Sequence, residues 1–420
     1  MPIQKKILVV VESIDVEDSS GSKANVALIQ NLHKAGFELR VYHYTLKEIQ
    51  LPGITCVAIK EKRWSTLFFL SRMERYIRFL FKISLSRPLE KIFGFSFTLF
   101  NDRNSIIEAL RKIQDFNPDL VMTLSKGGSF RPHHSLLKMP ELHKKWMAYI
   151  HDPYPMHLYP RPFAWVEAGY YQKWKFIRDI SKRATYSAFP SKLLMDWMGS
   201  YYPGFLKSGM IIPHQLIELS TEEVGFPNYF NPKDFNLLHA GTLLEPRNPK
   251  ILVKAFQMFL EEHPEAKLHS KLIFLGGENV FSPWLKNQAN QTKELEVSEA
   301  YVHFINVFKM QQHAAVNIIL EAKSEISPFL PGKFPHCVQA DKPILLLGPY
   351  YSESHRLLGD DYIYWSENDD VEKIVKLIKH LYNLYLQNGN IKLGKPELKE
   401  YLSECYLKEI INKLLINDCN

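Results

Sequence analysis

The chain has 420 residues, a length that suits two or three domains, each able to bury a core without disulfides or a structural metal. Its 46% hydrophobic and 23% charged residues exclude the disordered and collagen-like classes. Lys plus Arg (52) exceed Asp plus Glu (45), a formal charge of +7 that argues for no nucleic-acid partner unless it is concentrated in one patch. The four cysteines, Cys56, Cys337, Cys405 and Cys419, form no CxxC pair, which speaks against a zinc ribbon or a thioredoxin-like site and fits a reducing compartment. No run of about 18 apolar residues occurs, so the expected location is cytoplasmic.

In chain order, Ile7–Val11 reads as a strand buried on both faces, Ala24–Ala35 as a helix stopped by Gly36, and Phe37–Tyr44 as the next strand. Ile106–Phe116 reads as a helix. Strands follow at Asp119–Leu124, Trp146–Ile150, Tyr186–Phe189 (with a helix from Lys192) and Met210–Ile212. Residues 215–233 break the rhythm with polar and turn-forming residues and are expected to be a linker. The pattern then restarts. A strand at Phe235–His239, a loop Ala240–Pro249 and a helix Lys250–Glu262 are followed by strands at Lys271–Leu275 and Val302–Ile305. Next come a helix Gln311–Val316, a strand Asn317–Leu320, a short helix Lys333–Ala340, a strand Pro343–Leu347 and helices Val371–Leu386 and Pro396–Ile416. The expected fold class is α/β, two tandem Rossmann-like doubly wound domains with C-terminal helices. They divide as 1–214, a linker 215–233, 234–395, and a tail 396–420 that crosses back toward the first domain.

No phosphate-loop GxxxxGK[ST], GxGxxG after a strand, GxSxG or HExxH motif is present. Two loops carry the chemistry instead. Gly241 and Thr242 open a strand-to-helix loop in which Arg247 stands just before a helix start, a place that favours anions. Pro331 and Gly332 force a turn into Lys333 and Phe334, with His336 one helical turn on, a setting that suits a diphosphate.

The second half resembles the donor-binding domain of GT-B glycosyltransferases, nearest the large family-4 (group 1) enzymes of bacterial polysaccharide synthesis. Gly241, Thr242 and Leu243 stand at that family's Gly-Arg-Leu, Arg247 and Asn248 at its Lys-Gly, and Pro331 through Pro343 at its later Pro-Ser/Gly-Lys pattern. The resemblance implies two domains facing a cleft and a nucleotide-sugar donor, a UDP-sugar, as substrate, with no cofactor; no metal is expected either, since no Asp-x-Asp motif sits suitably in a loop and Arg247 and Lys333 supply the cations. The resemblance places Arg247 and Lys333 on the donor diphosphate, with Gly241, Thr242, Gly332 and Phe334 beside it. The backbone near Val307 would lie next to the nucleobase. The family's Arg is replaced by Thr242. Its second paired Glu falls on His336 and the first on Pro328, so Glu321 or Glu325 is left to play a related part. In the first half, Gly21 and Ser22 are implied to form a Gly-rich loop on the acceptor side, and Lys126 and Gly127 follow another strand with the same character. His151 and Asp152, after the strand 146–150, are the candidates to accept the proton of an attacking hydroxyl.

Residues 61–91 hold eight basic and three acidic residues, a local +5, and Arg72, Arg75, Arg78 and Lys82 recur at helical spacing among Leu, Phe and Ile. This is the pattern of a basic amphipathic helix that binds an anionic membrane surface. The bland alternative is a surface helix whose apolar face packs on its own domain. The expected partners are therefore a nucleotide-sugar, a glycan or lipid-linked acceptor of cell-surface polysaccharide synthesis, and an anionic membrane on its inner face, but no nucleic acid. A nucleotide-sugar epimerase and a non-catalytic nucleotide-sugar-binding protein are the rival readings.

Overall fold

The computed structural model describes residues 4–298 and 300–417; Cys419 and the last residues of the expected tail lie outside it. The chain divides into two compact units. Unit 1 comprises Met1–Tyr159, Phe163–Gln215 and Ser403–Asn420, and unit 2 comprises Pro160–Pro162 and Leu216–Leu402.

Unit 1 is built on seven parallel strands: β1 (Lys6–Val11), β2 (Glu38–His43), β3 (Thr55–Ala58), β4 (Leu120–Leu124), β5 (Trp146–Tyr149), β6 (Tyr186–Phe189) and β7 (Gly209–Ile211). Their order is β3-β2-β1-β4-β5-β6-β7. The winding reverses between β1 and β4, which pair in register from Ile7 with Leu120 to Val11 with Leu124. That reversal opens a crevice at the carboxyl ends of these strands, where doubly wound sheets bind ligands. Both faces of the sheet are covered, which is why β1 and β4 read as unbroken apolar runs.

Unit 2 repeats the plan with β8 (Phe235–Ala240), β9 (Ser270–Leu275), β10 (Leu295–Val297), β11 (Val316–Leu320), β12 (Ile326–Ser327), β13 (Ile344–Leu347), β14 (Tyr351–Ser352) and β15 (Trp365–Ser366). The main sheet runs β10-β9-β8-β11-β13-β15, again parallel, with its reversal between β8 and β11; β12 and β14 form a separate pair. The α/β, doubly wound architecture expected from the sequence is what the chain adopts. Residues 215–233 contain neither helix nor strand.

Several local expectations are corrected. Val302–Ile305 is not a strand, and a helix Phe304–His313 replaces both it and the expected helix 311–316. Four alternating residues mimic a strand, but the buried positions are Phe304, Phe308, Met310 and Gln311, with Phe304, Phe308 and Gln311 at the spacing of one helix face. The helix Ser282–Gln291 and strand β10 had no expectation, because that helix is mostly polar and buries only Ser282 and Leu285. The helix expected at Ile106–Phe116 spans Phe97–Arg111. Its inward face carries Asn101, Asp102 and Ser105, so apolar periodicity hid its first half. The expected helix Pro396–Ile416 is two, Pro396–Tyr401 and Glu404–Asn417. Leu398 and Leu402 are buried in unit 2, whereas Leu407, Ile411 and Leu415 are buried in unit 1 beside Ile29 and Leu32. At roughly 1.5–3 kcal/mol per buried aliphatic side chain, those three residues fix the terminal helix to unit 1.

Candidate functional site

At the reversal of the unit 2 sheet, β8 ends in His239 and Ala240 and the chain leaves through Gly241 at φ +134, a conformation closed to most side chains. Gly241 N–H donates to the Leu275 carbonyl at 2.7 Å. The loop turns at Arg247, whose N–H donates to the Leu244 carbonyl at 2.7 Å, and Asn248 Oδ1 accepts from Lys250 N–H at 3.0 Å to start the helix Lys250–Glu262. Arg247 is half-buried, and Thr242 is exposed.

The next strand over, β11, delivers Glu321 one residue past its end. This carboxylate is buried. Its Oε1 accepts from Ser354 Oγ at 2.6 Å, while Oε2 has no hydrogen-bond partner. Gly348, after β13, makes room for it, since a Cβ there would lie 2.9 Å from Glu321 Cβ. Burial raises the Glu321 carboxyl to about 7, against the pull of the Ser354 and Ser327 hydroxyls and the Arg247 charge. Glu325, the other candidate, is exposed.

Lys333 completes the cluster. Its Nζ is buried and has no hydrogen-bond partner. Burial pushes the ammonium down to about 7; the Arg247 charge adds to the drop, and Cys337 and Glu321 oppose it. His239 is buried with its Nδ1 unpartnered, and burial with the charges of Lys333 and Arg247 keeps it well below its usual value, hence neutral. An unpaired buried ammonium and an orphan carboxylate oxygen are costly in an empty site. Together they match a ligand that brings both an anion for Lys333 and hydroxyl donors for Glu321.

Other expected donor-side residues fall differently. Phe334 is fully buried in the core with Leu330, Val338 and Leu346 and offers no side chain to a ligand. Its N–H closes the turn onto the Pro331 carbonyl at 2.8 Å, and Pro335 has no N–H, so the short helix Phe334–Ala340 presents little dipole and the charge comes from Lys333. Gly332 leads into that turn, half-buried. His336 is buried against Phe304 and Phe308, with ring centroids 5.1 and 5.8 Å away. Val307 lies on the helix Phe304–His313 with its N–H donated to the His303 carbonyl at 3.2 Å, packed in the cluster around Phe230.

In unit 1, Gly21 and Ser22 do not form a loop. Ser19 caps a helix Ser20–Lys34, accepting from Ser22 N–H at 3.1 Å, so both lie in its first turn and Ser22 is buried. Lys126 and Gly127 open a tight turn closed by paired hydrogen bonds between Lys126 and Ser129, with Gly127 at φ +55. The turn adjoins Gly21, where a Cβ would lie 3.5 Å from Lys126 Cγ. Lys126 is ion-paired with Asp18 and is no spare cation.

His151 has a partner at each ring nitrogen. Asn25 Nδ2 donates to the Ser125 carbonyl at 3.3 Å, which turns Asn25 Oδ1 toward His151 Nε2 at 2.8 Å. Nε2 must then carry the proton and Nδ1 accepts from His214 Nε2 at 3.3 Å. Both ring nitrogens are engaged, and burial together with neighbouring histidines holds the ring well below its usual value. The lone pair left over is His214 Nδ1, buried without a partner, on a residue that had drawn no attention in the sequence. Asp152, on the following bend, is half-buried. Elsewhere in unit 1 Arg131 bridges Glu12 and Asp102, both at 2.6 Å, with Tyr44 donating to Asp102 at 2.9 Å. This part-buried polar network has no counterpart among the sequence motifs.

No protein-family model and no curated protein matches the sequence. Solved structures do match over nearly the whole chain. A glycosyltransferase from Rickettsia africae aligns with a TM-score of 0.61 at 12% identity, covering 98% of each chain. An α,α-trehalose-phosphate synthase (UDP-forming) from Burkholderia vietnamiensis aligns at 0.63 and 9% identity, covering 99% of this chain and 100% of the other. The E. coli trehalose-6-phosphate protein bound with UDP-2-fluoro glucose aligns at 0.62 and 11%, covering 98% and 99%. At these identities the likeness establishes the fold, which is GT-B.

Proposed function

We propose that the chain is a glycosyltransferase that moves a sugar from a UDP-sugar donor to a glycan or lipid-linked acceptor in cell-surface polysaccharide synthesis, at the cytoplasmic face of the membrane. The observation that carries the reading is the unpaired Lys333 ammonium beside Arg247 and the orphan Glu321 oxygen at the reversal of the unit 2 sheet. The fold shared with UDP-sugar enzymes supports it. In the transfer, an acceptor oxygen forms the new bond to the sugar's anomeric carbon while the bond from that carbon to the diphosphate breaks. The electron pair goes to the diphosphate, and Arg247 and Lys333 neutralise the charge that develops there. Glu321 accepts from donor hydroxyls, and Asp152 takes the proton released by the acceptor. With two cations supplied by the chain, the reaction needs no metal.

A thermal-shift series with nucleoside diphosphates and UDP-sugars tests the reading. UDP stabilises the protein, and Arg247→Ala and Lys333→Ala each abolish the response. If no nucleoside diphosphate shifts the melting temperature, the reading is wrong. Acceptor-dependent UDP release that persists in EDTA separates transfer from epimerisation and from binding without turnover.

A further inference from the structure

The segment with the local +5 folds as a helix Thr66–Phe81, a turn in which Lys82 adopts φ 56, and a second helix Ser86–Phe93. The first helix packs against the helix Phe97–Arg111, yet Ser71 is its one buried residue. Facing solvent instead are Phe69, Met73, Tyr76 and Leu80, 49–63% exposed, at spacings of four, three and four, which make one continuous stripe. Phe79 and Phe81 flank the stripe at 73% and 65% exposure. An amphipathic helix in a globular domain turns such a stripe inward; this one is mounted with it outward. Packing on its own domain, the alternative raised by the sequence, accounts for the half-buried Leu67, Phe68, Leu70 and Ile77 but not for this stripe.

The charges around the stripe identify what covers it. All three acidic residues of the segment are engaged within the protein: Glu61 with Arg72, Glu74 with Ser86, and Glu90 with Lys173. Among the described residues Arg78, Lys82, Arg87 and Lys91 form no ion pair, and all four are exposed. A second copy docked face to face would set these cations against their own equivalents, which is repulsive. A surface that is apolar at its centre and negative at headgroup level satisfies both features. Among the described residues no helix is long and apolar enough to cross a membrane.

We infer that the helical pair 66–93 is a bilayer-docking element, with Phe69, Met73, Tyr76 and Leu80 entering the acyl boundary of an anionic membrane and Arg78, Lys82, Arg87 and Lys91 contacting lipid phosphates. This deepens the membrane-face location proposed above, and rests on that reading only for which leaflet is met.

Flotation with vesicles of phosphatidylcholine alone or with added phosphatidylglycerol tests it on the full chain. The protein floats with the anionic vesicles only. Each exposed cation near such a surface is worth about fivefold in partitioning, so Arg78→Gln, Lys82→Gln and Arg87→Gln together lower it on the order of 100-fold. Phe69→Ser with Phe79→Ser removes it at unchanged net charge. All these side chains are exposed, and an unchanged melting temperature and UDP response verify that the variants fold. Absence of flotation by the parent chain, or flotation unaffected by both variant sets, overturns the inference. So does a concentration-dependent dimer, seen by sedimentation, that the Phe69→Ser change dissolves. Flotation without a UDP response sinks the nucleotide reading and leaves this one standing; a UDP response without flotation does the reverse.

Discussion

Replacing Lys333 by Met keeps the length of the apolar stem and removes the ammonium that has no partner. Burial lowers that ammonium from its usual 10.5 to about 7. At about 1.4 kcal/mol per pH unit, the charged form costs the empty protein roughly 5 kcal/mol. Because the folded-state value is the lower one, the penalty is full below about pH 7. It fades as the pH climbs from about 7 to 10.5, where the unfolded chain still holds its proton and the folded chain has released it. Unit 2 of the parent protein therefore gains stability across that window, and Lys333→Met flattens the rise. At neutral pH the variant gains up to about 4 kcal/mol, a limit reached only if the neighbouring Glu321 stays as it is. Urea unfolding at pH 6, 8 and 10 reads the pH slope, and a UDP titration reads the loss of binding. A stabilised protein that no longer responds to UDP is the expected pair of results. A destabilised variant that still binds UDP refutes the idea that the ammonium is kept for a ligand.

Three further outcomes follow from the same packing. Glu321 has the opposite sign: its carboxyl is raised from 4.5 to about 7, so its contribution to stability is lost as pH rises through that window, by about 3 kcal/mol. Glu321→Gln removes that slope in urea melts and weakens binding of UDP more than of inorganic diphosphate, which has no ribose. Gly348→Ala places a methyl 2.9 Å from Glu321 Cβ and 3.2 Å from Oε2. It costs about 1–3 kcal/mol by overpacking and lowers UDP affinity through the displaced carboxylate, measured by denaturation and calorimetry. Lys173 is buried between Glu90 at 2.9 Å and Glu167 at 3.0 Å. Lys173→Met leaves two half-buried carboxylates facing each other without their cation and destabilises unit 1 by about 1–3 kcal/mol in the same denaturation assay.

Parts of the site were legible from residue type and position. Arg247 before a helix start and Lys333 after Pro331 and Gly332 are special residues in turns, and turns at strand ends are written in local chemistry. The family resemblance leaves Glu321 and Glu325 open; burial separates Glu321 from the exposed Glu325. His239 reads as an ordinary strand end, and nothing in the sequence singles out His214. Their isolation depends on partners tens of residues away, which spacing does not report. The partners of His151 are hidden from the sequence for the same reason, since the Asn25 and His214 that occupy its nitrogens are 126 and 63 residues distant.

The sequence by itself determined the tandem doubly wound plan. Parallel strands covered on both faces are continuous apolar runs, and Gly and Pro punctuate their ends, so Tyr186–Phe189 and Lys250–Glu262 emerged with their observed bounds. It also showed that residues 61–91 are both basic and apolar. Only the tertiary structure decided which way that helix faces. A 3.6-residue period defines a stripe without saying whether it points to core or solvent, and here the packing against the helix Phe97–Arg111 leaves Phe69, Met73, Tyr76 and Leu80 outside. The same holds for Lys333 and Glu321. Their charges are visible in the sequence, but their loss of water, the unpartnered Lys333 Nζ and the unpartnered Glu321 Oε2 exist only once β8, β11 and β13 lie side by side.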